Sequence, residues 1–313
     1  MQDLHDLPKL RDSLSYLYVE HAVLNQKDHA IEYIRQDEGR VMIPVAALGV
    51  LLLGPGTRIT HAAIRTLADN GCAAVWVGED GTKFYAQGTG ETRRSFHTLR
   101  QAEMSCDPQQ RLGVIRRMYQ YRFPEPLEAD LTLEQIRGME GSRVRSSYYR
   151  ASKTYGVPWH GRSYDRASWG SGDPINRALS AANALLNGLC HTAIVSGGYS
   201  PALGFIHTGK QLSFVYDVAD LYKAEITVPL AFQTVAESTD KVEARVRTAC
   251  REKFREAKLL DRILPDIDSL LQIDPETFVE GDDFDGDPAL PGPLWDVSPL
   301  GTMSDEESEE AAE

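Results

Sequence analysis

The 313-residue chain has only four cysteines, Cys72, Cys106, Cys190 and Cys250, and no two of them form a CxxC pair. That scarcity excludes a disulfide framework and a thiolate zinc site, and it points to a reducing cytoplasm. Long apolar runs are missing too. The longest one evident, VAALGVLLLGP after Pro44, is too short to span a bilayer, and the opening MQDLHDLPKLRD has no apolar signal core, so no membrane partner is expected. Basic residues are absent beyond Arg262, whereas 16 of the 46 acidic residues follow it. Taking those 16 away leaves 30 acidic against 33 basic residues, so the net charge of -13 divides into a body of +3 and a tail of -16. A mildly basic body can still gather its cations on one face and meet phosphate. The acidic, Pro/Gly-rich tail is expected to be disordered, with either a solubilising role or that of a DNA mimic.

With 42% hydrophobic and 25% charged residues, the chain can bury a sizeable core and is expected to form two domains. The fold class read from the pattern is α+β. A β-rich N-terminal domain over residues 1–88 and a linker over 89–95 precede an all-α C-terminal domain over 96–275 and the acidic tail over 276–313. In the first domain short β segments alternate with turns at Asp37-Glu38-Gly39, Gly54-Pro55-Gly56 and Asp80-Gly81. One helix interrupts them, with Thr60 as N-cap and Gly71 at its end. Helical periodicity takes over at RLGVIRRMYQYRF, and Thr132 with Gln135 reads as a capping box ahead of LEQIRGMEGSRVRSSYYRASKTYG. Asp173 and Pro174 open the next helix as N-cap and first helical residue.

The chemistry concentrates between Gly198 and Lys223, GYSPALGFIHTGKQLSFVYDVADLYK. GFI reads as a short strand that sets His207 at its end, and SFVYDVADLY reads as a helix with Asp217 and Asp220 three residues apart. Carboxylates in such apolar surroundings need a partner, and a hard divalent cation, Mg²⁺ or Mn²⁺, suits oxygen ligands with one imidazole better than zinc does. Glu140, between Gly138 and Gly141, is the third candidate ligand. Helical glycines cost about 1 kcal/mol each against alanine, which close approach of another backbone or of DNA would explain. The blander readings are a core histidine, solvated carboxylates, and a Glu140 that pairs with Arg137 or Arg143.

Candidate phosphate contacts lie at turns and on one helix. Arg58, Arg65 and Lys83 flank the N-terminal turns. The loop GRSYDRASWGSG carries Tyr164 and Trp169, aromatics suited to stacking on unpaired bases or to anchoring the loop. In the helix beginning near Ser238, Val242, Val246, Ala249, Cys250, Phe254 and Ala257 form an apolar stripe. Arg247, Arg251, Arg255 and Lys258 recur on another side as a basic stripe.

The blocks GPGTRITHAA, VWVGEDG, RGMEGSRVR, GFIHTGKQLSFVYDVADLYK and VRTACREKFR resemble the CRISPR-associated adaptation integrases, in their Cascade-associated, type I-E-like form. The resemblance covers about residues 8–272 and leaves the acidic tail without a counterpart. It implies a β-rich domain followed by an α-helical catalytic domain. It also implies a metal-dependent endonuclease and integrase that inserts spacer DNA into a CRISPR array. Glu140, His207 and Asp220 match the family's metal ligands, with Asp217 as the acidic residue supporting them. Arg58, Lys83, Lys210 and Arg247 fall at positions resembling DNA contacts, and Tyr164 and Tyr216 match aromatic positions near the DNA end. Asn187 departs from the pattern, standing where a close relative carries tyrosine. The implied partners are double-stranded and branched DNA, a second copy in a homodimer, and a small ferredoxin-like protein bridging two dimers. The competing reading is a non-catalytic DNA-binding scaffold of a nucleic-acid-processing complex.

Overall fold

The computed structural model describes residues 16–273, apart from 29, 36–38, 46–47, 90–94, 129 and 163–172. Tyr164, Trp169, the turn at Asp37-Glu38 and the acidic tail therefore lie outside the described residues. The described residues belong to one compact unit.

Among the described residues eight strands come first: β1 (Tyr16–Val19), β2 (Val23–Lys27), β3 (Ala30–Arg35), β4 (Gly39–Ile43), β5 (Val50–Leu53), β6 (Arg58–Ile59), β7 (Ala73–Val77) and β8 (Phe84–Gly88). They form two four-stranded sheets, ordered β1-β5-β7-β8 and β4-β3-β2-β6. In the first, β1, β5 and β7 run parallel and β8 pairs antiparallel with β7. Every residue of β5, VLLL, is buried, the unbroken apolar run expected of a parallel strand covered on both faces. One face packs Leu51, Leu53 and Ala74 against Leu24 and Ile31 of the second sheet and against Ala63 and Leu67 of α1 (His61–Asp69). The other face packs Val50, Leu52 and Val75 against Leu260. Thr60 caps α1 by accepting from the Ala63 N–H, and Gly71, at φ +67, follows its end.

From Phe96 onward the described elements are helical: α2 (Phe96–Cys106), α3 (Pro108–Arg122), α4 (Leu133–Tyr155), α5 (Pro174–Ser196), α6 (Ser213–Tyr222), α7 (Val228–Glu237), α8 (Val242–Glu256) and α9 (Leu259–Leu271). The α+β architecture expected from the sequence is the one observed. Thr132 and Gln135 form the expected capping box of α4, and Asp173 caps α5 through the Asn176 N–H at 2.8 Å. A π-helical turn, Lys223–Thr227, joins α6 directly to α7.

Helix α5 is the hub, touching α6, α7, α8 and α9 as well as β7 and β8. Thr192 on α5 donates to the Gly81 carbonyl at 2.9 Å, and a Cβ on Gly188 would collide with the Thr82 carbonyl. The glycine thus allows the helix to lie directly on the turn between β7 and β8. By length and mean hydropathy, 1.3, α5 would also pass for a membrane span, a segment overlooked in the apolar-run reading, but 61% of that window is buried within the protein.

Two expectations need correction. GFI is not a strand: Leu203 to Lys210 have no strand or helix structure. The basic helix starts at Val242 rather than near Ser238, because Lys241 takes a left-handed φ of 43 at its N-terminal boundary.

Candidate functional site

The irregular segment from Gly197 to Leu212 links α5 to α6 and carries His207. Its backbone polar groups find few partners of the helical or strand kind, so side chains from three helices supply them. From α2, the His97 ring meets the Gly197 carbonyl at 2.7 Å and Thr98 donates to that of Gly198. Gln101, fully buried, donates to the Ser200 and Leu203 carbonyls and accepts from the Ser200 N–H, at 2.8 to 3.0 Å. From α3, Arg111 grips the Phe205 carbonyl with two nitrogens, at 2.7 and 3.0 Å.

Asp217 on α6 completes the cradle. Its fully buried carboxylate accepts from the backbone N–H groups of Phe205, Ile206 and His207, at 2.6, 3.0 and 2.9 Å. The same carboxylate meets the His207 ring Nδ1 at 2.7 Å. That bond, with the charges of Asp217 and Asp220, raises the His207 pKa above its ordinary value against the opposing effect of burial. It also leaves Nε2 as the ring nitrogen free for another partner. Gly204 has to be glycine, since a Cβ there would meet the His207 carbonyl and Ser213. Tyr216, one residue before Asp217, presents its ring edge-on to the imidazole at 5.9 Å.

Glu140 reaches this neighbourhood through α3. Arg122, with its side chain 4% exposed, donates to Glu140 Oε1 at 3.2 Å and to the Asp217 carbonyl at 3.4 Å, so one guanidinium bridges α4 and α6. Arg143 adds two bonds to the Glu140 carboxylate, at 2.7 and 2.9 Å. Burial alone would push the Glu140 pKa up, but the Arg143 bonds and both guanidinium charges outweigh it and hold the carboxyl below its usual value. Asp220, one helical turn beyond Asp217, pairs with Lys223 at 2.5 Å. The sequence pointed to Arg143 as a partner of Glu140. Arg122, Arg111 and Gln101 escaped notice, because their spacing in the chain says nothing about what they touch across helices.

As they stand, no three His, Cys, Asp or Glu side chains among the described residues lie close enough together to hold an ion. The donor chemistry nevertheless fits a hard divalent cation: Glu140 and Asp220 offer oxygen, His207 offers Nε2, and Asp217 engages the other ring nitrogen of that imidazole. Binding would require both carboxylates to turn from their present cations.

The candidate DNA contacts separate into two groups. Arg58 on β6, Lys83, Lys210 and Arg247 are exposed. Of the other two candidates on α8, Arg251 turns across the chain, whereas Arg255 has a side chain 65% exposed at the edge of the same acidic turn. Arg251 pairs with Glu79 at 2.8 Å and lies 3.8 Å from Asp80, and Arg255 lies 4.0 Å from Asp80. These contacts hold α8 to the short 3₁₀ turn Glu79–Gly81.

A family model described as CRISPR associated protein Cas1 matches residues 15–125 and 120–249. The chain belongs to the Cas1 family. It is 57% identical over 298 residues to a Thermus thermophilus protein named CRISPR-associated endonuclease Cas1 2, covering 95% of this chain and 90% of that one. The Escherichia coli CRISPR-associated endonuclease Cas1 is 43% identical over 268 residues, 86% of this chain and 88% of its own. Among solved structures, a TtCas1–DNA complex superposes with a TM-score of 0.80 at 59% identity, covering 85% of this chain and 99% of that chain. A CAS1 protein from Thermotoga maritima, at 15% identity and a TM-score of 0.53, shares the fold. The Cas1 fold places the cradle around His207 in the helical part of the molecule.

Proposed function

We propose that this Cas1 chain is a metal-dependent DNA endonuclease and integrase of CRISPR adaptation, of the Cascade-associated, type I-E-like form. It joins spacer DNA to the array by attack of a 3′-hydroxyl on a repeat phosphodiester. The observation that carries the reading is the buried Asp217, whose carboxylate fixes three consecutive backbone N–H groups and the ring of His207 at once. A network of this kind, fixed on one exposed imidazole, suits a site in which that ring must be aimed. The names of the relatives, endonucleases of the CRISPR system, and the DNA complex of TtCas1 support it.

Glu140, His207 and Asp220 would hold Mg²⁺ or Mn²⁺, and the ion when bound supplies charge neutralisation at phosphate and a lowered pKa for the attacking hydroxyl. Asp217 keeps the imidazole in one orientation, with Nδ1 engaged and Nε2 outward. Arg122 sets Glu140 against α6. Lys210 and Tyr216, beside His207 in sequence or space, would receive a phosphate and a sugar or base at the DNA end. Arg58, Lys83, Tyr164, Arg247, Arg251 and Arg255 are the further candidate DNA contacts, the last two on release from Glu79 and Asp80. The working assembly is a cytoplasmic homodimer, two copies of which are bridged by a small ferredoxin-like partner.

One observation favours the scaffold reading instead: Glu140 and Asp220 are both neutralised by cations of this same chain. Strand transfer on branched DNA separates the two readings. Glu140→Ala, His207→Ala and Asp220→Ala should each abolish Mn²⁺- or Mg²⁺-dependent joining while leaving the fold and DNA affinity intact. Full joining by all three folded variants would overturn the metal-site assignment, and absence of joining by the parent protein itself would leave the scaffold.

A further inference from the structure

Two tyrosines adjoin residues of the candidate site in sequence without belonging to it. Tyr222 ends α6 and is fully buried, and Tyr121 precedes Arg122 at the end of α3. A phenol taken into an apolar interior needs a hydrogen-bond partner, and these two find the same one. Both hydroxyls donate to a single oxygen, Asp266 Oδ2 on α9, each at 2.7 Å. Arg262, one turn earlier on α9, donates to that oxygen from Nε at 3.3 Å and to the Tyr121 hydroxyl at 2.9 Å. Its guanidinium also lies over the Tyr222 ring, 5.2 Å from the centroid, and pairs at 3.3 Å with Glu225 in the π-helical turn that follows α6. Burial, with the Asp266 charge adding to it, raises the Tyr222 pKa above its ordinary value, so this phenol stays a donor.

The elements joined at Asp266 are those that assemble the candidate site. Asp217 and Asp220 stand five and two residues before Tyr222 on α6, and Arg122, which holds Glu140, follows Tyr121 directly. Glu140 itself belongs to α4 and reaches α6 through Arg122, whose bond to the Asp217 carbonyl is long, at 3.4 Å. The two shorter bonds to Asp266 thus fix the end of α3 against the end of α6. A slide of one helix along the other would carry Arg122 and Glu140 away from His207 and Asp220, three side chains that must converge for one ion to bind. Stability alone gives little reason for the arrangement, because apolar side chains of similar volume often serve in place of a buried charged network as well or better. What directed bonds add is a single defined spacing.

We propose that Asp266, through Tyr121 and Tyr222, is a positioning residue of the DNA-joining site: it fixes the spacing of α3 and α6 at which Glu140, His207 and Asp220 close on one divalent cation. It acts through the two phenols and is not itself a ligand. Helix α9 also packs Leu260 against the sheet of β1, β5, β7 and β8, so the element that sets this spacing is anchored on the β-rich part of the chain. The proposal rests on the reading of the chain as a metal-dependent Cas1 enzyme and adds to it the residues that hold the ligands in register.

The test compares the parent with Tyr121→Phe combined with Tyr222→Phe, a pair that keeps both rings and removes both hydroxyls, at a temperature well below either Tm. Two quantities are read: strand transfer on branched DNA as a function of Mn²⁺, and Mn²⁺ binding by electron paramagnetic resonance with a DNA whose incoming end lacks its 3′-hydroxyl. The double variant should need at least about fivefold more Mn²⁺ for half-maximal joining and bind the ion more weakly by the same factor, short of the roughly 10- to 100-fold lost with a direct partner of a ligand. Its rate at saturating Mn²⁺ should stay within about twofold of the parent's. Asp266→Asn keeps an oxygen that accepts from both phenols and should bring the Mn²⁺ requirement to within about twofold of the parent's, whereas Asp266→Leu should not. An unchanged Mn²⁺ requirement and affinity in the folded double variant would overturn the proposal, and a lowered Tm beside that result would assign the network to stability. If the double variant does not fold, Tyr222→Phe alone decides, with a rise of about threefold expected and no rise overturning the proposal. A parent that neither binds Mn²⁺ nor joins DNA would overturn the enzyme reading and the proposal with it, whereas joining by the parent leaves that reading standing whatever the tyrosines do.

Discussion

The two sheets and the His207 segment solve the same problem in opposite ways. In the sheets, backbone donors and acceptors pair with one another along regular ladders, from Tyr16↔Val50 to Trp76↔Ala86, and side chains are left to pack by volume. From Ser200 to His207 the backbone is held largely by Gln101, Arg111 and Asp217, each irreplaceable in chemistry as well as size. A ladder distributes its tolerance over many residues. A side-chain cradle concentrates it in a few, which gives up robustness and gains a fixed orientation for one imidazole.

The sharpest way to break that comparison is Asp217→Ala. It leaves the Phe205, Ile206 and His207 N–H groups and the His207 ring without their acceptor. A loss of about 3–5 kcal/mol is expected, as when one partner of a buried charged network is removed. For a chain of this size that corresponds to a fall in Tm of about 10 °C, readable by calorimetry. A fall of only a degree or two would mean that the segment is held by something else.

A pair of volume-conserving substitutions sharpens it next. Gln101→Leu strands three backbone groups and should cost about 2–3 kcal/mol. Leu51→Met, equally buried but in β5, keeps its apolar character and should cost less than about 1.5 kcal/mol. Denaturant titration of both variants compares the regions directly, and equal losses would erase the distinction.

The smallest effect concerns charge, where the same contrast separates tied from free cations. Changing Arg247, Arg251 and Arg255 together to Ala removes one cation that enters no ion pair among the described residues and two that lie within 4.0 Å of Glu79 or Asp80. The salt slope for duplex binding should then fall by about 0.9, from Arg247 alone, where three phosphate contacts would give about 2.7. The larger figure would show that the α8 cations leave their partners when DNA arrives.

Much of the scaffold was legible in the chain. The unbroken VLLL of β5, the Thr60 and Asp173 caps, the Thr132–Gln135 box and the register of α6 are local features whose cause lies within a few residues. The candidate site was legible as residue types in one short stretch and at Glu140, and the family resemblance rested on that stretch together with four other blocks of the chain. GFI was misread as a strand because a short apolar run carries no period of its own. Phe205 is buried, but by helices around an irregular segment and not by strand partners.

By itself, then, the sequence determined the order of sheets and helices, the uneven charge and the cluster of His207, Asp217 and Asp220, all properties of neighbours along the chain. Only the tertiary structure decided what those residues touch. Arg122 joins Glu140 to α6 across elements 18 and 95 residues apart, and Gln101 reaches 99 and 102 residues to Ser200 and Leu203. It also decided which cations remain free, since Arg251 lies far in sequence from the Glu79 it pairs with, while Tyr149, Arg145 and Lys153 face outward on α4. Periodicity identifies the face of a helix. Which element covers that face follows from packing the whole chain into one core.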